Sequence, residues 1–185
     1  MMNRTILVSL VFLFVAGCDQ ANLKPSDASS VGVEPVATEV VVEAPPPPIV
    51  PMPEFAAEVV QLVGQDFAAV FPLVTEDCAG HLDGISERFG AGRAGVLAWG
   101  WAFNLGQKST FPLFVATDAS GIIQGGSAGN VERLDVIEAR PDEITSEETG
   151  YQVLVGISSG PVSVYGIEAV TNEACLVGSF PDVGL

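Results

Sequence analysis

Between residues 96 and 177 the chain is a succession of short apolar runs, each closed by turn-forming residues, and few architectures other than an antiparallel β fold accommodate that rhythm. Residues 96–103 read VLAWGWAF, which sets Leu97, Trp99, Trp101 and Phe103 on one face and Val96, Ala98, Gly100 and Ala102 on the other. The alternation reads as a core strand. Residues 111–117 run into Asp118-Ala-Ser-Gly121 and then Ile122-Ile-Gln, turn residues between two apolar runs, as in a hairpin. Residues 151–157, Ser158-Ser-Gly-Pro161 and residues 162–167 repeat the design, and Ala174-Cys-Leu-Val177 follows. About six short strands at the ~8–12-residue spacing of such folds predict an all-β domain, an antiparallel β-sandwich or barrel with the sandwich as the expected form. The acidic stretch 132–149 reads as a connection with a helical turn. Upstream, Phe55, Val59, Leu62 and Val63 recur at helical spacing, so a short amphipathic helix is expected over residues 54–71.

The amino-terminal residues, MMNRTILVSLVFLFVAGC, place one positive charge at Arg4 before an apolar run from Ile6 to Ala16, the plan of a secretory signal peptide. As a helix that run would be only about 16 Å long, well short of a hydrocarbon core of about 30 Å. Val15-Ala16-Gly17-Cys18 resembles the lipobox of bacterial lipoproteins. The resemblance implies a diacylglycerol thioether on Cys18, loss of residues 1–17, acylation of the new amino terminus and a periplasm-facing location in the bacterial cell envelope. The membrane would then be a partner through the lipid anchor, since two or three acyl chains hold a protein on a bilayer where one does not. An ordinary cleaved signal with a coincidental cysteine is the alternative. Asp19 matches the inner-membrane retention signal of enteric Gram-negative bacteria and tips the choice of membrane slightly that way.

Residues 18–53 change composition. Ser26, Asp27, Ser29 and Ser30 give way to Val/Glu/Pro alternation and then to Pro45-Pro46-Pro47-Pro48, Pro51 and Pro53. Such a segment buries too little to offset its ordering entropy and reads as a disordered tether, partly stiffened as polyproline II. Residues 54–185 are left for the β domain, enough for a self-sufficient core. If Cys18 carries lipid, Cys78 and Cys175 remain, near the first and last β segments of an exported domain. They are expected to form a disulfide stapling its ends, with two buried free thiols as the alternative.

Composition removes several classes of function. Seven Lys+Arg against 23 Asp+Glu give a net charge of -16, which repels phosphate backbones, so no nucleic-acid partner is expected. One histidine and three cysteines are too few for a closed zinc site, and neither a metal nor another cofactor is expected. Gly90-Ala-Gly92-Arg-Ala-Gly95 satisfies the dinucleotide pattern G-x-G-x-x-G, but a strand follows it where a helix is needed, so it reads as a loop. His81 lies in no G-x-S-x-G context and reads as a surface or hydrogen-bonding residue. Asp142, Glu143, Glu147 and Glu148 are the densest acidic group and lack the ordered spacing of a calcium loop. Trp99 and Trp101 admit two readings, core aromatics or a platform for stacking sugars, and the period-two pairing with Leu97 and Phe103 favours core.

Gly100-Trp-Ala-Phe-Asn104, Asp118-Ala-Ser-Gly121 with Ile122-Ile-Gln-Gly125, Arg133-Leu-Asp-Val136 and Gly150-Tyr151, bracketed by Cys78 and Cys175, resemble a periplasmic β-sandwich module. That module is appended to polytopic bacterial membrane proteins of glycosyltransferase type. Asn104 replaces the usual Asp and Tyr151 the usual Phe. The resemblance covers about residues 76–180 and implies a non-catalytic accessory domain, with no active-site residues to carry over. The expected function is a lipid-anchored binding or assembly module whose partner is an envelope protein or a glycan. A carboxylate-dependent envelope glycan hydrolase, and a spacer or inhibitor acting through a protein partner, are the alternatives.

Overall fold

The computed structural model describes residues 49–184. The expected lipobox with Cys18 and the expected tether up to residue 48 lie outside the described residues. Eight strands are present: β1 Leu73–Thr75, β2 Cys78–Phe89, β3 Gly95–Asn104, β4 Leu113–Thr117, β5 Ile123–Val131, β6 Gly150–Val155, β7 Val162–Ile167 and β8 Glu173–Phe180. They form one sheet in the order β1-β8-β7-β4-β5-β6-β3-β2. Every neighbouring pair is antiparallel except β1, which runs parallel to β8.

The chain is thus mainly β, as expected, but the expected two-sheet sandwich is replaced by a single mixed sheet curled into a half-barrel. Curling is built into the strands. β2, β5 and β8 carry register shifts, in which an extra residue bends the strand and increases its twist. A sheet bent this far covers its own concave face. There Val96, Ala98, Ala102, Val153, Val155 and Val164 surround Phe111, Phe114 and Tyr151, with the last two rings stacked 4.4 Å apart.

The two ends of the curl meet through β2 and β8. Cys78 and Cys175 are joined by a disulfide across a Cα separation of 6.4 Å. A Cβ added to Gly80 would stand 2.8 Å from Val177 Cγ1, and one added to Gly178 would stand 2.8 Å from Leu82 Cβ. The closure therefore needs a residue without a side chain on each strand.

Two covers lie on the opposite, convex face. In place of one helix over 54–71 there are two four-residue turns, α1 Ala57–Val60 and α2 Phe67–Val70. Gly64, at φ 87°, breaks the path in the left-handed region that favours glycine. Its N–H donates to Ile123 O, and Ile123 N–H donates back to Gln65 O, so the backbone between the turns pairs with the sheet rather than with itself. Asp66 caps α2 by accepting from Ala69 N–H at 3.2 Å. Phe67 and Phe71 then bury Val115, Ile123, Ile167 and Ala174. The second cover is α3 Leu134–Ala139, the helical turn expected in the acidic connection. It brings Val136, with Ile144, onto Phe103.

Residues 49–53, expected in the tether, are part of the fold. Met52 is only 4% exposed and its N–H donates to Arg93 O, while Gly90 N–H donates to Val50 O. Met52 fills the space over Gly95, where a Cβ would collide with its sulfur. The folded region thus begins before residue 54 because an apolar side chain among the prolines has a vacancy to fill.

Candidate functional site

The period-two pattern of β3 is real, but on the tryptophan face full burial is reached only at Phe103, beneath α3. Val96, Ala98 and Ala102 are fully buried and face the core, whereas Trp99 is 37% exposed and Leu97 and Trp101 are half-buried on the convex face. The reason is Tyr151. In the β3/β6 pairing it lies opposite Gly100, and an added Cβ there would stand 2.5 Å from its hydroxyl oxygen and 2.8 Å from Cζ. The concave side of β3 must be small for this ring to lie across it. The Tyr151 hydroxyl donates to His81 O at 3.1 Å. Burial, reinforced by the nearby Asp83 carboxylate, pushes that hydroxyl's pKa well above its ordinary value.

The larger side chains of β3 consequently form an outward row between the two covers. Trp99 pairs with Gln152 on β6 and with Gly84 on β2, and a Cβ at Gly84 would stand 3.1 Å from the indole Nε1. His81, exposed on β2, pairs with Trp101.

At one end of the row, Arg133 enters just before α3. Its guanidinium carbon sits 5.5 Å from the Trp99 ring centre. Nε and NH2 each donate to Asp135 at 2.8 Å, and NH1 donates to Asp83 at 2.6 Å. The paired donation to Asp135, helped by Asp83 and opposed by partial burial, keeps this guanidinium charged beyond even its ordinary range, and Arg133 holds the Asp135 carboxyl below its ordinary value. Arg140 repeats the arrangement over Trp101 at 5.6 Å, its charge met by Glu143 at 2.9 Å. A cleft of about 260 Å³ opens here, lined by Asp83, Trp101, Arg133, Asp135, Val136 and Arg140 among others.

At the other end, Phe55, Phe89, Leu97 and Leu154 line a cleft of about 550 Å³, with Glu87 and Gln152 as polar members. Both lie near the size range of small-ligand sites. Trp99 stands between them.

Of the residues that carried the sequence resemblance, Trp101, Arg133, Asp135 and Val136 converge on the smaller cleft. Gly100 and Tyr151 form the packing pair beneath it. Asn104 instead accepts from Gln107 N–H at 3.0 Å and closes the turn after β3. Asp118 lies elsewhere, in the β4–β5 turn that meets Asp66 through the Asp66–Ile122 bridge. It accepts from Ser120 and Ile122 N–H and from the Gln124 amide. Burial raises its pKa, but the Gln124, Ile122 and Ser120 donors outweigh that and hold it below the ordinary 3.8.

Asp83, Arg140 and Gln152 were not singled out by the sequence for this surface. Asp83 sits in β2, where two bulges reverse the parity of facing and conceal the strand pattern. Arg140 and Gln152 join only through tertiary approach. Gly90 to Ala94 form the β2–β3 loop, as read, and Gly95 opens β3. Among the described residues no three or more His, Cys, Asp or Glu side chains are grouped to hold a metal ion, and no helix is long and apolar enough to cross a membrane. Comparison with family models, with curated proteins and with solved structures finds no match to this chain.

Proposed function

We propose that this protein is a lipid-anchored binding module of the bacterial cell envelope that works by recognition and carries out no chemistry of its own. The observation that carries the recognition part is the outward row of β3. A tryptophan 37% exposed, bordered by two clefts and braced by a carboxylate-bound arginine, is an expensive arrangement to leave in water unless something covers it. Asp83 and Asp135, the carboxylates lining the smaller cleft, are both engaged by one guanidinium, which suits a rigid surface better than a proton-transferring pair.

The anchoring part rests on Val15-Ala16-Gly17-Cys18. Cleavage before Cys18 leaves 6 basic against 23 acidic residues, a net charge of -17, so attraction to anionic lipid cannot hold the protein and acyl chains must. Intact mass and non-reducing peptide mapping of the mature protein test this. The expected result is an acylated Cys18 as first residue, and a mature terminus at any other residue overturns the anchor. A photocrosslinker in place of Trp99, expressed in cells, tests the recognition surface. The expected result is one dominant adduct, and the same adducts from a crosslinker placed at exposed Val170, outside the strip, would refute it.

A further inference from the structure

We infer that the convex strip along β3 binds a neutral glycan chain, stacked on Trp99 and hydrogen-bonded by Gln152, Arg133 and their carboxylate neighbours. This rests on the reading of the strip as a recognition surface and names its ligand class.

Geometry supplies the first part. Leu97, Trp99 and Trp101 point outward at successive i, i+2 positions, roughly 7 Å apart on an extended strand. They connect the cleft containing Leu97 with the cleft containing Trp101. A linear ligand lying along the strand meets an aliphatic side chain and two indoles in sequence. Glycine at position 84 leaves room for the Trp99 ring beside β2, its Nε1 lying 3.1 Å from where a Cβ would stand.

Charge supplies the second. Arg133 faces two carboxylates and Arg140 faces one, so the cations around the tryptophans are already matched or outnumbered. The whole chain carries -16. An anionic ligand would find no uncompensated positive charge beside the tryptophans and would be repelled at longer range. A purely apolar ligand is also disfavoured, because it would strip water from Gln152, Glu87 and Asp83 without replacing their hydrogen bonds.

Hydrogen-bonding capacity supplies the third. Three of the five guanidinium N–H groups of Arg133 are committed to Asp135 and Asp83, leaving two for a ligand. The Gln152 amide, opposite Trp99, can donate and accept. Carboxylate oxygens with spare lone pairs complete a set that suits hydroxyl groups, which donate and accept in turn. A sugar ring combines an apolar C–H face with a rim of hydroxyls, and an uncharged chain of such rings satisfies all three conditions.

Trp99 and Trp101 are the only tryptophans in the sequence, so intrinsic emission reports on this strip alone. The mature lipoprotein in nanodiscs is titrated with a glucose tetramer, an N-acetylglucosamine tetramer and, as the charged counterpart, a galacturonate tetramer. At least one neutral tetramer is expected to give a saturable emission change, and the galacturonate tetramer none. Trp99→Ala is expected to weaken binding roughly tenfold or more, as for a central aromatic anchor, with Trp99→Phe largely restoring it. Gln152→Ala is expected to weaken binding without altering the fold. Far-UV circular dichroism and the Cys78–Cys175 linkage, followed in each variant, report folding independently of the binding signal. Silence with both neutral tetramers, equal or tighter binding of galacturonate, or unchanged affinity in Trp99→Ala overturns the proposal. The crosslinker at position 99 separates this failure from that of the recognition surface. A protein adduct with silent titrations leaves a binding surface whose ligand is not a glycan, whereas no specific adduct and silent titrations remove both.

Discussion

Breaking the Cys78–Cys175 disulfide should cost this domain a large share of its stability. The bond spans 97 residues of sequence and encloses nearly every strand. In the chain-entropy model a loop of that length restricts the unfolded ensemble by about 4.7 kcal/mol at 25 °C, against a total stability of roughly 5–15 kcal/mol for an ordinary domain. The fold gives a second reason for a large effect. β2 has a ladder partner on one side only, β3, and meets β8 through side chains and the disulfide. The assay is urea denaturation of the oxidised protein and of Cys78→Ala/Cys175→Ala, followed by tryptophan emission. At a denaturant slope of about 1–3 kcal/mol per molar, the midpoint should fall by roughly 2–5 M, which for a modest starting stability means unfolding without denaturant. Native-state hydrogen exchange of the variant should show β2 losing protection before β4 and β7. A loss below about 1 kcal/mol, with β2 protected as before, would refute the view that the bond holds the curl closed by restricting the unfolded chain.

Three further outcomes follow from named contacts. Gly100→Ala should destabilise by about 2–4 kcal/mol, combining overpacking against Tyr151 with loss of its hydrogen bond to His81, and thermal or urea melts will read it. Met52→Ala should cost about 2–4 kcal/mol if residues 49–53 are core as described, whereas a melt unchanged from the parent would return that segment to the tether. Asp118 has a folded pKa below its ordinary 3.8, so its contribution is fully present above that value and is lost as pH falls through the folded pKa. The melting-temperature advantage of the parent over Asp118→Asn should therefore be constant at neutral pH and shrink below about pH 4, and an advantage that grows on acidification would contradict the hydrogen-bonding account.

Much of the β character was legible because β3, β4, β6 and β7 keep a strict period of two or a short apolar run between turn residues. The hairpin at Asp118-Ala-Ser-Gly121 carries its own code. The Asp side chain accepts the turn N–H groups and Gly121 takes φ 78°, both readable from residue type. β2 was far less legible, since its bulges at Leu82/Gly84 and Ile85/Glu87 break the alternation that marks a strand. The glycine-rich end of β5 was hidden for another reason. Gly126 leaves space for Val59 and Gly129 for Phe114, so the strand is poor in side chains because its neighbours supply them.

The candidate surface divides in the same way. Sequence set Trp99 and Trp101 apart as core aromatics or a stacking platform and named Arg133 and Asp135 only within the resemblance, and the period-two pairing of the tryptophans with Leu97 and Phe103 favoured core. Period alone does not say which face of a strongly curved sheet is filled, because the concave side has room for only a few large rings, and Phe111, Phe114 and Tyr151 already take that room.

By itself, then, the sequence determined that an acidic chain with a lipobox-like start and alternating apolar segments would fold as a mainly β domain, because period, turn residues and charge are local quantities. While the Cys78–Cys175 bond bears out the pairing expected from the cysteine count, tertiary structure alone decided that the sheet is single and curled and that Trp99 is exposed on its convex face. Those outcomes depend on which side chains compete for one concave volume, and that competition involves residues far apart in the chain.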